Sequence, residues 1–250
     1  MTQWVELDST AHRGLRVATH VSASFGDNVG VVSALPCEFP MLLAYYPIVF
    51  RKSAQSGQFE PAALLGFERH ENLFLRNERW DADYVPLQVQ RQPFTVLPPS
   101  EASTSEQARI AFDADSPRIV AGELAPQGAQ AVFSENGQPS AYLQKMAGML
   151  RVFAAGAVEA VEFAQSLAAL DLLEPLTIKV QFVDRRKVEL QGLYTVKAET
   201  LDSLPGSKLL ELRDRGFLRL AYYQLASLSQ LGRLVARRNR IVTGMPDRAD

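Results

Sequence analysis

The chain has 250 residues, 47% hydrophobic and 22% charged, with a formal net charge of -2, the balance of an ordinary soluble globular protein. That charge gives no general electrostatic attraction to nucleic acid or anionic lipid. A single cysteine, Cys37, excludes an internal disulfide framework and points to a reducing compartment.

The first 35 residues carry short apolar runs broken by polar ones, Trp4-Val5-Glu6-Leu7, Leu15-Arg16-Val17 and Val29-Gly30-Val31-Val32. Their alternation and β-branching predict strands, with a turn at Gly26-Asp27-Asn28. No basic cluster leads into an apolar run at the N-terminus, so the expected location is cytoplasmic, with surface association only through a non-classical route. Phe39, Leu42, Leu43 and Tyr46 then fall at helical spacing, and Pro47 ends that helix. A hairpin is predicted from Ile48–Lys52 and Phe59–Phe67 around Ala54-Gln55-Ser56-Gly57, followed by a short strand at Asn72–Leu75. Trp80-Asp81-Ala82-Asp83-Tyr84 is too polar for a core strand and reads as a loop. Pro98–Gln107 offers little to bury and reads as an exposed linker. Arg109–Asp113 returns as a strand before a Gly/Pro-rich passage, Gly122–Gly137.

The second half is more helical. Pro139 suits a helical first turn, and Leu143, Met146, Leu150, Phe153, Ala157, Ala160, Ala164 and Leu167 recur in threes and fours. Val152, Val158, Val161 and Phe163 widen that stripe, which predicts burial on more than one face. The run from Met146 to Leu173 carries Arg151, Glu159, Glu162 and Asp171, charges that suit a buried helix and argue against a membrane span. Thr177–Phe182 and Val188–Val196 are strands joined at the polar tip Asp184-Arg185-Arg186-Lys187. Short helical turns at Thr200–Leu204 and Lys208–Arg215 precede Gly216, which stops the second. Phe217–Arg238 reads as one last helix with Leu218, Ala221, Leu225, Leu228, Gly232 and Val235 on one face and arginines at its end, where cations complement the helix dipole. The helical seams suit either burial within the chain or a homo-oligomer. The fold class is therefore α+β: a β-rich region over 1–122 with antiparallel hairpins, packed as one compact unit with an α-rich region over 123–250 that contains one β-hairpin.

Chemistry is sparse. The three histidines, His12, His20 and His70, show no metal-ligand spacing with one another or with Cys37, so no metal and no cofactor is expected. The chain lacks a GxSxG elbow, a P-loop and a GxGxxG turn, and no catalytic residue is assigned. Cys37 is expected to be buried, and the arginines from Arg233 to Arg240 to be solvated. The candidate binding surface is Tyr45, Glu71, Asn72, Trp80, Asp81, Asp83 and Tyr84, where aromatic faces beside carboxylates suit a sugar, a peptide or a cationic group.

Several motifs in order resemble the bacterial SapC family. They are Tyr46-Pro47-Ile48-Val49-Phe50, Pro61-Ala62-Ala63-Leu64-Leu65-Gly66-Phe67, Glu71-Asn72-Leu73-Phe74-Leu75, Arg79-Trp80-Asp81-Ala82-Asp83-Tyr84-Val85-Pro86-Leu87 and Arg91-Gln92-Pro93-Phe94. Leu190-Gln191-Gly192-Leu193-Tyr194 and Leu218–Leu231 continue the likeness, which covers nearly the whole chain. The resemblance implies an association with surface layers. It also implies an accessory role in handling an imported or modified ligand, because similar proteins are often encoded beside TonB-dependent receptors, halogenase-like flavoproteins and cupin-like oxygenases. It supplies no catalytic residues. The expected function is a soluble, non-enzymatic binding or accessory protein whose ligand is a protein or a small saccharide or peptide, with no nucleic acid and no membrane span. Two alternatives stand beside it: an enzyme using Asp81, Asp83 or Glu71 as acid–base groups on a saccharide or peptide, and a structural surface-layer component.

Overall fold

The computed structural model describes residues 3–97, 109–121 and 128–244. In chain order the elements are β1 (Trp4–Glu6), β2 (Leu15–Val17), β3 (Val31–Ser33), α1 (Phe39–Leu42), β4 (Ile48–Lys52), β5 (Phe59–Leu64), β6 (Leu75–Arg76) and β7 (Arg79–Trp80). There follow α2 (Leu87–Gln90), β8 (Phe94–Leu97), β9 (Arg109–Asp113), β10 (Ile119–Ala121), β11 (Gln130–Ala131) and the long α3 (Ala141–Ala169). The chain continues through β12 (Leu173–Gln181), β13 (Lys187–Val196), α4 (Ala198–Asp202), α5 (Gly206–Asp214), α6 (Phe217–Ser227) and α7 (Gln230–Thr243). Strands dominate the first half and helices the second, which is the α+β organisation read from the periodicity. The linker Pro98–Gln107 and residues 122–127 of the Gly/Pro-rich passage lie outside the described residues.

Contacts divide the chain into two units, each drawn from three segments: Met1–Asn28, Leu75–Trp80 and Leu87–Ala155 in the first, Val29–Phe74, Asp81–Pro86 and Gly156–Asp250 in the second. In the first unit β1, β9 and β8 form one antiparallel sheet, and β10, β2 and β11 another. Leu143, Met146 and Leu150 of α3 cluster with Val17, Phe94, Phe112 and Val132. The cap of α3 is Ser140, whose Oγ accepts from the Leu143 amide at 3.1 Å, a side-chain oxygen satisfying an otherwise orphaned N–H. Pro139 therefore stands before the helix and not in its first turn; it bridges to Phe133. Arg118 and Asp27 form a buried pair at 2.5 Å. Arg118 also donates to the carbonyls of Ala18 and His20, so that the charge is both paired and hydrogen-bonded, as burial requires.

The second unit is built on an antiparallel five-stranded sheet in the order β12-β13-β4-β5-β3. Phe163 of α3 packs at ring-centroid distances of 5.9, 5.7 and 5.4 Å from Phe39, Phe50 and Phe217, within the range of favourable aromatic pairing. The β13–β4 ladder is short, registering Leu193 with Arg51 and Tyr194 with Phe50. Beyond it, α6 supplies the missing partners. Gln224 donates to the Ile48 carbonyl at 2.8 Å and accepts from the Val196 amide at 3.0 Å, while Ser227 Oγ accepts from the Ile48 amide at 2.8 Å.

Three helical expectations are corrected. The buried face of α6 is Phe217, Leu220, Ala221, Gln224 and Ser227, because two polar residues face the sheet where an apolar pattern looks for leucines. The last helix is broken between α6 and α7. Ser227 and Ser229 hydroxyls bond back to the carbonyls of Gln224 and Ala226, and such local bonding competes with the helical ladder. By length and composition α3 is apolar enough to cross a membrane, yet Leu143, Met146, Leu150, Phe163, Ala164 and Leu167 are buried in protein. Its burial is one-sided, since Val152 and Val158 are 49% and 62% exposed.

Candidate binding site

The loop after Phe74 starts from a tight hairpin. Asn77 and Glu78 both have positive φ, 48° and 59°, the geometry of a two-residue turn whose twist matches the flanking strands. This sets β6 against β7 and pairs Leu75 with Trp80. Trp80 is thus a half-buried strand residue of the first unit, not part of the loop. The expected strand at Asn72–Leu75 is mostly a turn: the buried Asn72 accepts from the Phe74 amide at 3.0 Å, and only Leu75 reaches β6.

The remaining loop, Asp81–Pro86, belongs to the second unit and is fixed along its length. The Asp81 amide donates to the Phe74 carbonyl at 2.7 Å, and its carboxylate is ion-paired with Arg237 of α7. The Tyr46 hydroxyl donates to the Tyr84 carbonyl. The Tyr84 hydroxyl in turn donates to the fully buried Glu38 at 2.9 Å. Burial first, then the Glu38 charge, pushes the Tyr84 phenol far above the ordinary tyrosine range. Between these anchors sits Asp83, exposed, which accepts from the Tyr45 hydroxyl at 2.8 Å. That hydrogen bond is the main cause holding the Tyr45 phenol above its usual value, with desolvation and the Asp83 charge adding to it.

Glu71 serves the scaffold. One carboxylate oxygen accepts from the Phe67 amide at 2.8 Å, and the other meets Arg238 at 2.6 Å. The 68–71 turn crosses so close to its neighbours that a Cβ on Gly30 would stand 2.0 Å from the Glu68 carbonyl oxygen, and one on Gly66 2.2 Å from that of Glu71. Only glycine permits that approach.

Of the seven expected residues, six fall in the second unit, and two of them pair with arginines that the sequence reading left to solvent: Asp81 with Arg237 and Glu71 with Arg238. The arginines at the end of α7 are therefore not a uniformly solvated cluster. Arg237 also stacks on Phe74 at 4.4 Å and Arg238 on Phe182 at 5.1 Å, a geometry that adds cation–π attraction to the ion pairs. The excess of arginine at a helix end was the available signal, but acid–base matching across 156 residues has no local signature. Cys37 is exposed, against the expectation of burial. Helical turns around Pro36–Leu42 turn Leu35, Phe39 and Leu42 inward and leave Cys37 out. A separate cleft of about 330 Å3 in the second unit is lined by Glu162, Ser166, Lys208, Glu211 and Arg215. Arg215 there spans Ser166 at 2.7 Å and Glu162 at 3.3 Å. No motif pointed to it, since its charges are scattered over two helices.

These features define an α+β chain whose acidic loop is anchored by Arg237, Tyr46 and Glu38. The chain belongs to the SapC family, whose model matches residues 7–234. No curated protein and no solved structure matches it.

Proposed function

We propose that this SapC-family chain is a binding or accessory protein, and that its partner meets the surface around Tyr45, Asp83 and the loop Asp81–Pro86. One observation carries the reading: the exposed Asp83 carboxylate is held by Tyr45 inside a loop tied down at both ends. A loop ordered before binding spares the entropy that a mobile one would lose, and a fixed carboxylate beside a phenol suits a basic side chain or a sugar hydroxyl on the partner. The commitment of Asp81 to Arg237 and of Glu71 to Arg238 supports binding over acid–base catalysis by those two groups.

The test is affinity capture of partners by the wild-type chain and by Tyr45→Phe/Asp83→Asn, both substitutions lying outside the core. Loss of a reproducible partner from a folded variant supports the reading. Identical partners for both chains sink it. Turnover of a saccharide or peptide that is abolished by Asp83→Asn would replace it with the enzymatic alternative. Assembly of the purified chain into an ordered array would replace it with the surface-layer component.

A further inference from the structure

The β12–β13 hairpin tip departs from its own turn chemistry. The Arg185 amide donates to the Phe182 carbonyl at 3.0 Å and the Phe182 amide to the Arg186 carbonyl at 2.9 Å. This closes a three-residue loop, Val183-Asp184-Arg185. The last position of such a loop adopts the left-handed conformation and favours glycine. Arginine occupies it, with φ of 65°. A strained, non-glycine residue kept at an exposed turn is a pointer to a role outside the fold.

The charge around the tip gives that role a chemistry. Arg69, Arg185, Arg186 and Lys187 are all exposed. Three acids of this end are ion-paired, Glu68 with Arg186 at 2.6 Å, Glu71 with Arg238 and Glu189 with Lys179 at 3.6 Å, while Asp184 accepts from the Arg186 amide at 3.0 Å and keeps its charge. Among the described residues no ion pair engages Arg69, Arg185 or Lys187. The same end carries exposed aliphatic side chains. Val183 is 56% exposed at the tip, where its amide donates to Asn239 of α7 at 3.1 Å. Val242 and Ile241, in the last turn of α7, are 39% and 41% exposed.

We infer that this end of the second unit, the hairpin tip with Arg69 and the last turn of α7, docks on an anionic lipid surface. Surplus cations flanking exposed aliphatic side chains match a headgroup layer with apolar chains beneath it. A convex turn tip does not enclose a peptide, which favours a deformable surface over an acidic protein. The net charge of -2 does not oppose this, because at physiological salt charges act over about 8 Å. The inference is independent of the Asp83 loop.

The experiment is co-sedimentation of the full chain with vesicles of phosphatidylcholine alone, or with roughly one quarter phosphatidylglycerol, in low and high salt, alongside urea unfolding. The expected result is binding only to the anionic vesicles, weakened by salt. Arg185→Gly and Lys187→Gln should each lower it about fivefold. Arg185→Gly also carries a distinguishing sign, since glycine relieves the left-handed position: binding falls while the unfolding midpoint rises. Equal binding to both vesicle types, no binding to either, or unchanged binding by a folded Lys187→Gln variant overturns the inference. Displacement from anionic vesicles by soluble polyglutamate, to the extent that the polymer binds as tightly, overturns it in favour of an acidic polypeptide partner.

Discussion

At the scale of single residues, stability rests on a few polar commitments that cannot be undone singly. Asp27 and Arg118 are 3% and 4% exposed, and removing one partner of such a pair leaves the other charge buried and unmatched. Asp27→Ala is expected to cost about 3–5 kcal/mol, read as a drop in the urea midpoint. Gly66→Ala would press a methyl group against the Glu71 carbonyl, and overpacking of that kind costs about 1–3 kcal/mol or more. Tyr142 gives a pH prediction. Burial pushes its phenol up to about 12, opposed by the nearby Arg118 charge. A tyrosine ionising near 10 when unfolded and near 12 when folded stabilises the fold fully below pH of about 10. That contribution is lost as pH rises through about 12, so Tyr142→Phe should flatten the alkaline fall in stability over this window. Residues of this kind were hard to read from sequence. Asp27 was legible as a turn residue, but not as half of a pair with Arg118 lying 91 positions away.

At the scale of elements, several strands were legible because alternation encodes them directly: β4, β9 and β13 stand within about a residue of where the apolar pattern put them, whereas β12 starts earlier, at Leu173, and β5 stops earlier, at Leu64. What escaped was polar residues serving as structure. Gln224 and Ser227 occupy buried positions that an apolar search discards, yet they replace ladder hydrogen bonds the sheet does not make. Gln224→Leu should cost about 1–3 kcal/mol by leaving the Ile48 carbonyl and the Val196 amide without this partner. Hydrogen exchange at the Val196 amide should accelerate more than elsewhere in β13. The candidate loop shows the same limit. Its acidic and aromatic character was visible, but its rigidity comes from α7 and from Glu38, which no local pattern ties to it. Arg237→Gln is expected to speed exchange across Asp81–Pro86 while leaving the β4–β5 amides unchanged.

At the scale of the whole molecule, the contact pattern interleaves the chain, since each unit uses three separated segments. The first unit's core needs Leu143, Met146 and Leu150 from α3 alongside Val17, Phe94 and Phe112. A fragment ending at residue 122 lacks those side chains, and it is expected to remain unfolded by circular dichroism, whereas a fragment reaching 155 recovers them. Family membership was legible because its motifs lie in the most constrained stretches. The Pro61–Phe67 and Glu71–Leu75 segments are mostly buried or held by close backbone approaches.

The position of Cys37 makes the protein its own reporter. It is the sole cysteine of the chain and it is exposed, so one thiol-reactive dye attaches to each molecule without engineering. Desolvation, followed by the charges of Glu38 and Glu159, holds its thiol above the usual value, so mildly alkaline conditions favour labelling. The neighbouring residue, Glu38, receives the Tyr84 hydroxyl. A fluorophore there sits one residue from the anchor of the acidic loop, and its emission should change when a partner engages Asp83.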